Sequence, residues 1–337
     1  DSTQGWINTM DSTSNVRGAP PFIQASVSGA CNTLVTAPCC ANAKIATFTG
    51  PGSFTVTAAA LCAANNIVSH LIVAGGGSGG TGCSGGGAGA GGFREVKSPI
   101  TPYTASPLDG YSTPANRVTV TAQTYAIVVG GGAPGQATAP NSCNSDGTRG
   151  NNSSFGGIIS TGGGAGGDGP AGPEGPGGSG GGGGHSSGTA GNGNTPAVSP
   201  AQGFNGRPSQ PATGPAPSDA GGAGGGATAA GTCGSSGHQG GAGATTSISA
   251  TPTAYAGGGG GSNRCGGTSG DVAGGAGGGG RGASNPRPRP AFDGTGQNGT
   301  ANTGGGGGAG GSLVSGGPIG GTGSGGSGIV IIRYKFQ

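Results

Sequence analysis

Between residues 75 and 328 the chain returns again and again to runs of glycine, at 75–77, 85–87, 130–132, 257–261 and 304–308 among others. A run without Cβ atoms has no side chains to bury. Glycine also costs a helix interior about 1 kcal/mol per residue relative to alanine. Gly and Pro account for 91 and 24 of the 337 residues, whereas Leu, Ile, Val and Phe together number only 42. Without a period, such a composition reads as disorder, but the net charge of +3 lacks the repulsion that keeps disordered chains open. A conventional enzyme fold and a helical bundle are not expected. No apolar run approaches the roughly 20 residues of a membrane-spanning helix, so membrane insertion is not expected. Thirteen basic against ten acidic residues give no field for nucleic acid.

The tracts carry a period of three. Gly stands at 163, 166, 169, 172, 175, 178, 181 and 184, a stretch that includes a short collagen-like piece at 169–177. The interruptions Ser78, Thr81 and Ser84 fall three apart, and Thr303, Ala309, Ser312, Ser315 and Pro318 share one phase. Three residues per turn is the polyproline-II helix, which makes no internal hydrogen bonds. Its N–H and C=O groups must find partners on neighbours, and only glycine lets backbones approach on every side. The expected fold is therefore mostly β and irregular: short β-strands framing a bundle of polyglycine-II helices, with essentially no α-helix. Ser, Thr, Ala and Pro are expected on outward phases, with Pro at the edge because it lacks a donor.

The strands are legible from β-branched runs. Residues 44–57 predict a hairpin around Gly50-Pro51-Gly52, and further runs lie at 67–74, 117–129, 155–161 and 329–336, with a weaker one at 245–255. Most end directly in a glycine tract. The division expected is an N-terminal connector (1–43), a β-rich segment with the first tract (44–130) and a polyglycine-II region (131–337) closed by the strand at 329–336.

Little in the sequence supports chemistry. Gly-x-Gly-x-x-Gly recurs only because glycine is abundant, and no tract is followed by Gly-Lys-Ser/Thr. His70, His185 and His238 stand apart, and no spacing suits zinc. His70, inside a β-prone run, reads as a satisfied structural histidine. Glu95 and Glu174 are the only glutamates, and paired carboxylates would require Asp109, Asp146, Asp219 or Asp271 to converge. No enzyme activity, cofactor or metal is expected. The eight cysteines read as small buried thiols or one or two bridges.

Binding residues sit on loops held by a scaffold, so the segments poor in glycine carry the candidates. These are Tyr103, Asp109 and Tyr111; Arg149, with Asn141, Asn144 and Asp146 nearby; Phe204 and Arg207; and Arg287, Arg289 and Phe292 beside Asp293. Aromatic faces beside Asn, Asp and Arg suit sugars or a protein loop. Ile329, Val330, Ile331 and Ile332 have the composition of a strand that completes a neighbour's sheet.

The ordered series HLIVAGGGSGG, GGAGAGGFRE, YAIVVGGGAPG, SSFGGIISTGGGAGG, TPTAYAGGGGG and GGSGIVIIRYKF resembles the glycine-rich C-terminal region of cyanophage virion structural and tail-fibre proteins. The opening around Trp6, PPFIQA and TFTGPGSFTVT is similar to segments that precede that region. In architecture the chain resembles the polyglycine-II sandwich adhesins of T-even-type phages, from which it departs in its opening and its eight cysteines. The resemblance implies a fibre or fibre-tip protein on the virion surface that binds a host-surface receptor (a glycan or an outer-membrane protein). It also implies other virion tail proteins as partners, and a homo-oligomer such as a trimer. The alternative is a self-assembling structural fibre without receptor specificity.

Overall fold

The computed structural model describes residues 20–38, 42–82, 84–137, 145–169, 175–185, 188–210, 220–232, 238–262, 272–283, 294–311 and 320–337. Among these residues there is no α-helix. The chain consists of short β-strands from which extended glycine tracts run out and return.

Two antiparallel sheets form the base. The smaller has the order β1 (Gln24–Ser28), β4 (Gly52–Ala58) and β8 (Thr124–Ile127). The central sheet has the order β2 (Thr33–Thr36), β3 (Ala43–Phe48), β13 (Ile329–Lys335), β5 (Ile67–Val73) and β6 (Phe93–Val96), with β7 (Val118–Thr119) also paired to β5. Two small hairpins complete the set, β9 (Ser153–Phe155) with β10 (Ile158–Ser160) and β11 (Ala244–Thr246) with β12 (Thr253–Tyr255). The predicted hairpin at 44–57 does not form. β3 pairs with β2 and β13, whereas β4 pairs with β1 and β8. Gly50-Pro51 thus carries the chain from one sheet to the other, which brings Phe48 and Phe54 into the same buried core from different sheets.

That space is the first core. Phe48, Phe54, Val56, Ile72, Phe155, Val330, Ile332 and Tyr334 are buried in it, and Phe54 meets Phe155 and Tyr334 edge-on at 6.2 and 5.5 Å. The other face of the central sheet buries Ile45, Leu71, Val73, Phe93, Ile329 and Ile331 against Ile248 and Tyr255. A sheet covered on both faces needs strands that are apolar throughout, which accounts for the apolar run Ile329 to Ile332. Fully burying such side chains stabilises by about 1.5–3 kcal/mol each, so these few strands hold much of the apolar stabilisation available. β13 is bonded along both edges within its own chain, to β3 and to β5. Ile329, Val330, Ile331 and Ile332 therefore have no open edge to offer a neighbour, and their composition reflects burial at the sheet centre.

The glycine tracts form a bundle with the three-residue period. From Gly75 to Thr81, N–H groups go in rotation to three neighbours: 75, 78 and 81 to the tract at 145–151, 76 and 79 to 323–326, and 77 and 80 to 86–89. The carbonyls of 75–78 and 80 accept from three others, at 133, 163–166 and 307–310. Residues 86–92 repeat the scheme, donating to 161–167, 222–225 and 304–307. These are polyglycine-II helices in a six-neighbour array. Each bond is worth about 1 kcal/mol net, and their number offsets the entropy of ordering glycine.

Proline takes the outer positions expected of it, as exposed Pro134 and Pro208 show. The small polar interruptions do not all do so. Ser78 and Ser84 are fully buried; the Ser78 hydroxyl accepts the Thr148 N–H at 2.8 Å. A hydroxyl that bonds to the neighbouring backbone fits where a solvated one was expected. Cys31 and Cys62 are unpaired and exposed, not buried; the other six cysteines lie outside the described residues.

Candidate functional site

The tracts have a sheet end and a free end. Near the sheets, Ala74 bonds to Gly92, Gly91 to Gly304, Gly92 to Thr161 and Gly328 to Gly130. At the other end, Thr81 bonds to Ser145, Ser262 to Gly85, Gly221 to Ser262, Gly310 to Gly80, Gly261 to His238 and Gly311 to Gly294. Side chains stitch this end: Gln136 donates to the Asp146 carbonyl at 2.6 Å, and the Asp146 carboxylate accepts the Asp168 N–H at 3.1 Å.

One tract on the bundle's flank, 203–210, carries large side chains. Its residues fall into three phases. The N–H groups of Gly206 and Ser209 go to Gly191 and Gly188, and those of Phe204 and Arg207 go to Gly226 and Ala223. Asn205 and Pro208 are exposed. Phe204, Arg207 and Gln210 share a phase and are exposed, so consecutive members stand about 9 Å apart on one ridge. Phe204 is 42% exposed. The Asn205 carboxamide accepts the Gly193 N–H at 2.8 Å and fixes the adjoining tract. Behind the ridge His238 is buried, and burial followed by the Arg207 charge lowers its pKa. The backbone of this ridge is locked to its neighbouring tracts, so its side chains are presented without mobile main chain beneath them.

A family model described as a glycine-rich domain matches residues 48–335, from the last residue of β3 to the last of β13. The chain belongs to the glycine-rich domain family. No curated protein and no solved structure matches it.

Within this glycine-rich domain the sequence candidates separate. Phe204 and Arg207 come together on the ridge. Tyr103, Asp109 and Tyr111 lie on the β6–β7 connection at the base and are occupied by structural roles. Tyr103 is packed between Lys97 and Arg333, whose charges lie 5.7 and 5.3 Å from its ring centre. Burial, then the Glu95 charge, raises its hydroxyl pKa. The Asp109 carboxylate accepts the Lys97 and Tyr111 N–H groups at 2.9 and 3.0 Å, and Arg117 stacks on Tyr111 at 4.3 Å. Arg149 is exposed on a different tract and donates to the Pro176 carbonyl. Arg287, Arg289 and Phe292 lie outside the described residues.

Sequence reasoning missed a buried polar cluster in the glycine-rich domain. Arg333 is fully buried and donates to the Ile248 and Pro102 carbonyls at 3.3 and 2.9 Å. Glu95 accepts the Ser106 N–H at 2.9 Å and the Thr246 hydroxyl at 2.5 Å. Ser69 accepts the Ser98 N–H at 2.7 Å and pairs with Thr101 at 2.5 Å. The cluster ties the central sheet to β11 and to the Tyr103 loop, and its members Arg333, Glu95 and Ser69 are all buried. A charge inside an apolar strand, Arg333 directly after Ile332, was the one signal for it.

Proposed function

We propose that this chain is an attachment module of a phage: the glycine-rich part of a cyanophage-like tail fibre or related virion-surface protein. It presents side chains and loops on a stiff bundle to a glycan or outer-membrane protein of the host. The observation that carries this reading is that tract N–H groups go in rotation to three neighbouring tracts, which makes a backbone-bonded array from which side chains such as Phe204 and Arg207 project. Such a scaffold sets many non-glycine segments side by side while its own backbone stays hydrogen-bonded. The Phe204–Arg207 ridge supports it, since a half-exposed aromatic beside a guanidinium suits sugar faces and acidic substituents. Several weak sites on an oligomer of such chains would add avidity without catalysis.

Binding of the purified chain to cyanobacterial cells tests the reading. Saturable binding that competes with virion adsorption is expected. Absence of saturable binding, with the chain folded, would leave a structural fibre as the better description.

A further inference from the structure

His70 lies on β5 and is 1% exposed, yet neither ring nitrogen has a hydrogen-bond partner. The Val68 carbonyl is near enough to act on the ring but makes no bond of normal geometry with it. The ring packs edge-on to Phe155 at 6.0 Å. It faces a crevice, too narrow for water, lined also by Arg94, Asn116, Ile158 and Pro200. An unmade hydrogen bond in such a place costs about 1–3 kcal/mol.

The crevice wall opposite the sheet is a loop that is folded on itself. Asn194 accepts the Val198 and Gln202 N–H groups at 3.1 and 3.2 Å, and Gln202 donates to the Pro196 carbonyl at 3.0 Å. This loop is fastened to the sheet edge at two points. The Asn116 carboxamide donates to the Ser199 carbonyl at 2.7 Å, and the Phe93 N–H donates to the Gln202 carbonyl at 2.8 Å. Arg94 in turn donates to Asn116 at 2.7 Å.

The charged groups lining the crevice, among the described residues, are Arg94 and Glu95. Arg94 shares the face of His70. The Glu95 carboxylate is held on the opposite face by Ser106 and Thr246. Phe155 from β9, Ile158 from β10 and Pro200 from the loop add no anion. A proton on His70 would therefore create a second buried cation beside Arg94 with nothing to balance it.

We propose that His70 is a proton-sensitive catch whose protonation releases the 194–202 loop from the edge of the central sheet. The loop joins two bundle tracts, so its release loosens the bundle at its root while the sandwich core remains. Buried in this way, and beside Arg94, the ring has its pKa lowered to about 3 from an ordinary 6.5. A group that gains its proton only on opening makes the open form more populated as pH falls through that interval.

Amide hydrogen exchange on the full chain, corrected for intrinsic rates, tests the catch. Between pH 7 and pH 4 the open population reported by the Phe93 amide, which donates to Gln202 across the fastening, is expected to rise about 200-fold, with β13 still protected. His70→Leu should abolish that rise, and Arg94→Gln, which removes the facing cation, should reduce it. An equal rise in His70→Leu overturns the proposal. So does a rise shared by β13, which would be global acid unfolding, or no rise in the unaltered chain. If His70→Leu does not fold, the Arg94→Gln comparison decides: an undiminished rise overturns the catch.

Discussion

Thr246 donates a 2.5 Å hydrogen bond to Glu95 across 151 positions of sequence. It fastens β11, at the sheet end of the bundle, to β6 in the central sheet. Thr246→Val should cost about 1–3 kcal/mol, since a buried carboxylate loses a partner. Burial raises the Glu95 pKa against the lowering effect of its Ser106 and Thr246 hydrogen bonds. The carboxyl is thus a weaker acid folded than unfolded. Its contribution to stability is fully present below its ordinary pKa and is lost as pH rises through the folded one. Thermal melts of Glu95→Gln should show a flatter pH profile over that window than the unaltered chain; an identical profile would remove Glu95 from the account.

Arg333 makes a second prediction. Its guanidinium holds two loop carbonyls and stacks on Tyr103. Arg333→Met keeps much of the buried stem but takes the guanidinium from the buried Ile248 carbonyl, and should destabilise by roughly 1–3 kcal/mol. Denaturant midpoints measure this; a change below about 0.5 kcal/mol would show the carbonyl finds another partner.

Two glycines separate close approach from mere flexibility. A Cβ on Gly79 would lie 2.2 Å from the Gly308 carbonyl oxygen, whereas on exposed Gly131 the nearest atom would be 3.7 Å away. Gly79→Ala must push two hydrogen-bonded tracts apart and should cost about 3 kcal/mol. Gly131→Ala should be neutral or stabilise by about 0.4–1 kcal/mol through the unfolded chain. Equal effects at the two positions would argue against the tight array.

On the ridge, Phe204→Ala and Arg207→Glu replace exposed side chains. Each should change melting temperature little, since surface substitutions usually fall within about 0.5 kcal/mol. Each should lower cell binding several-fold, and more strongly in the oligomer. Unchanged binding in the double variant would move the attachment site away from this tract.

The strands, the glycine helices and their threefold period were legible in the sequence because each is a local pattern. β-branched runs mark strands, and the recurrence of Ser78, Thr81 and Ser84 at every third position marks the turn of the helix. What was not legible depends on which elements become neighbours. Gly50-Pro51 looks like a hairpin turn, but whether Phe48 and Phe54 lie beside or across from each other is decided by β1, β8 and β13. The reading of Ile329–Ile332 as a strand that completes a neighbour's sheet meets the same limit, because an apolar run suits a doubly covered central strand as well as a sticky edge. Tyr103 and Asp109 looked like binding residues, yet their partners, Arg333 and the Lys97 N–H, lie on other parts of the fold. Phe204 and Arg207 fall on one ridge because their spacing of three is itself the helix repeat.

The rotation of N–H groups among three neighbours constrains how such a chain can change in length. Inserting one residue within a tract turns everything beyond it by a third of a revolution, so each donor would face the wrong neighbour. Three inserted residues restore the register and only lengthen the tract. Insertions and deletions inside the bundle are therefore expected in threes, matched by the tracts alongside. Segments that lie between tracts are exempt from this arithmetic, which leaves them open to change in length on an unaltered scaffold.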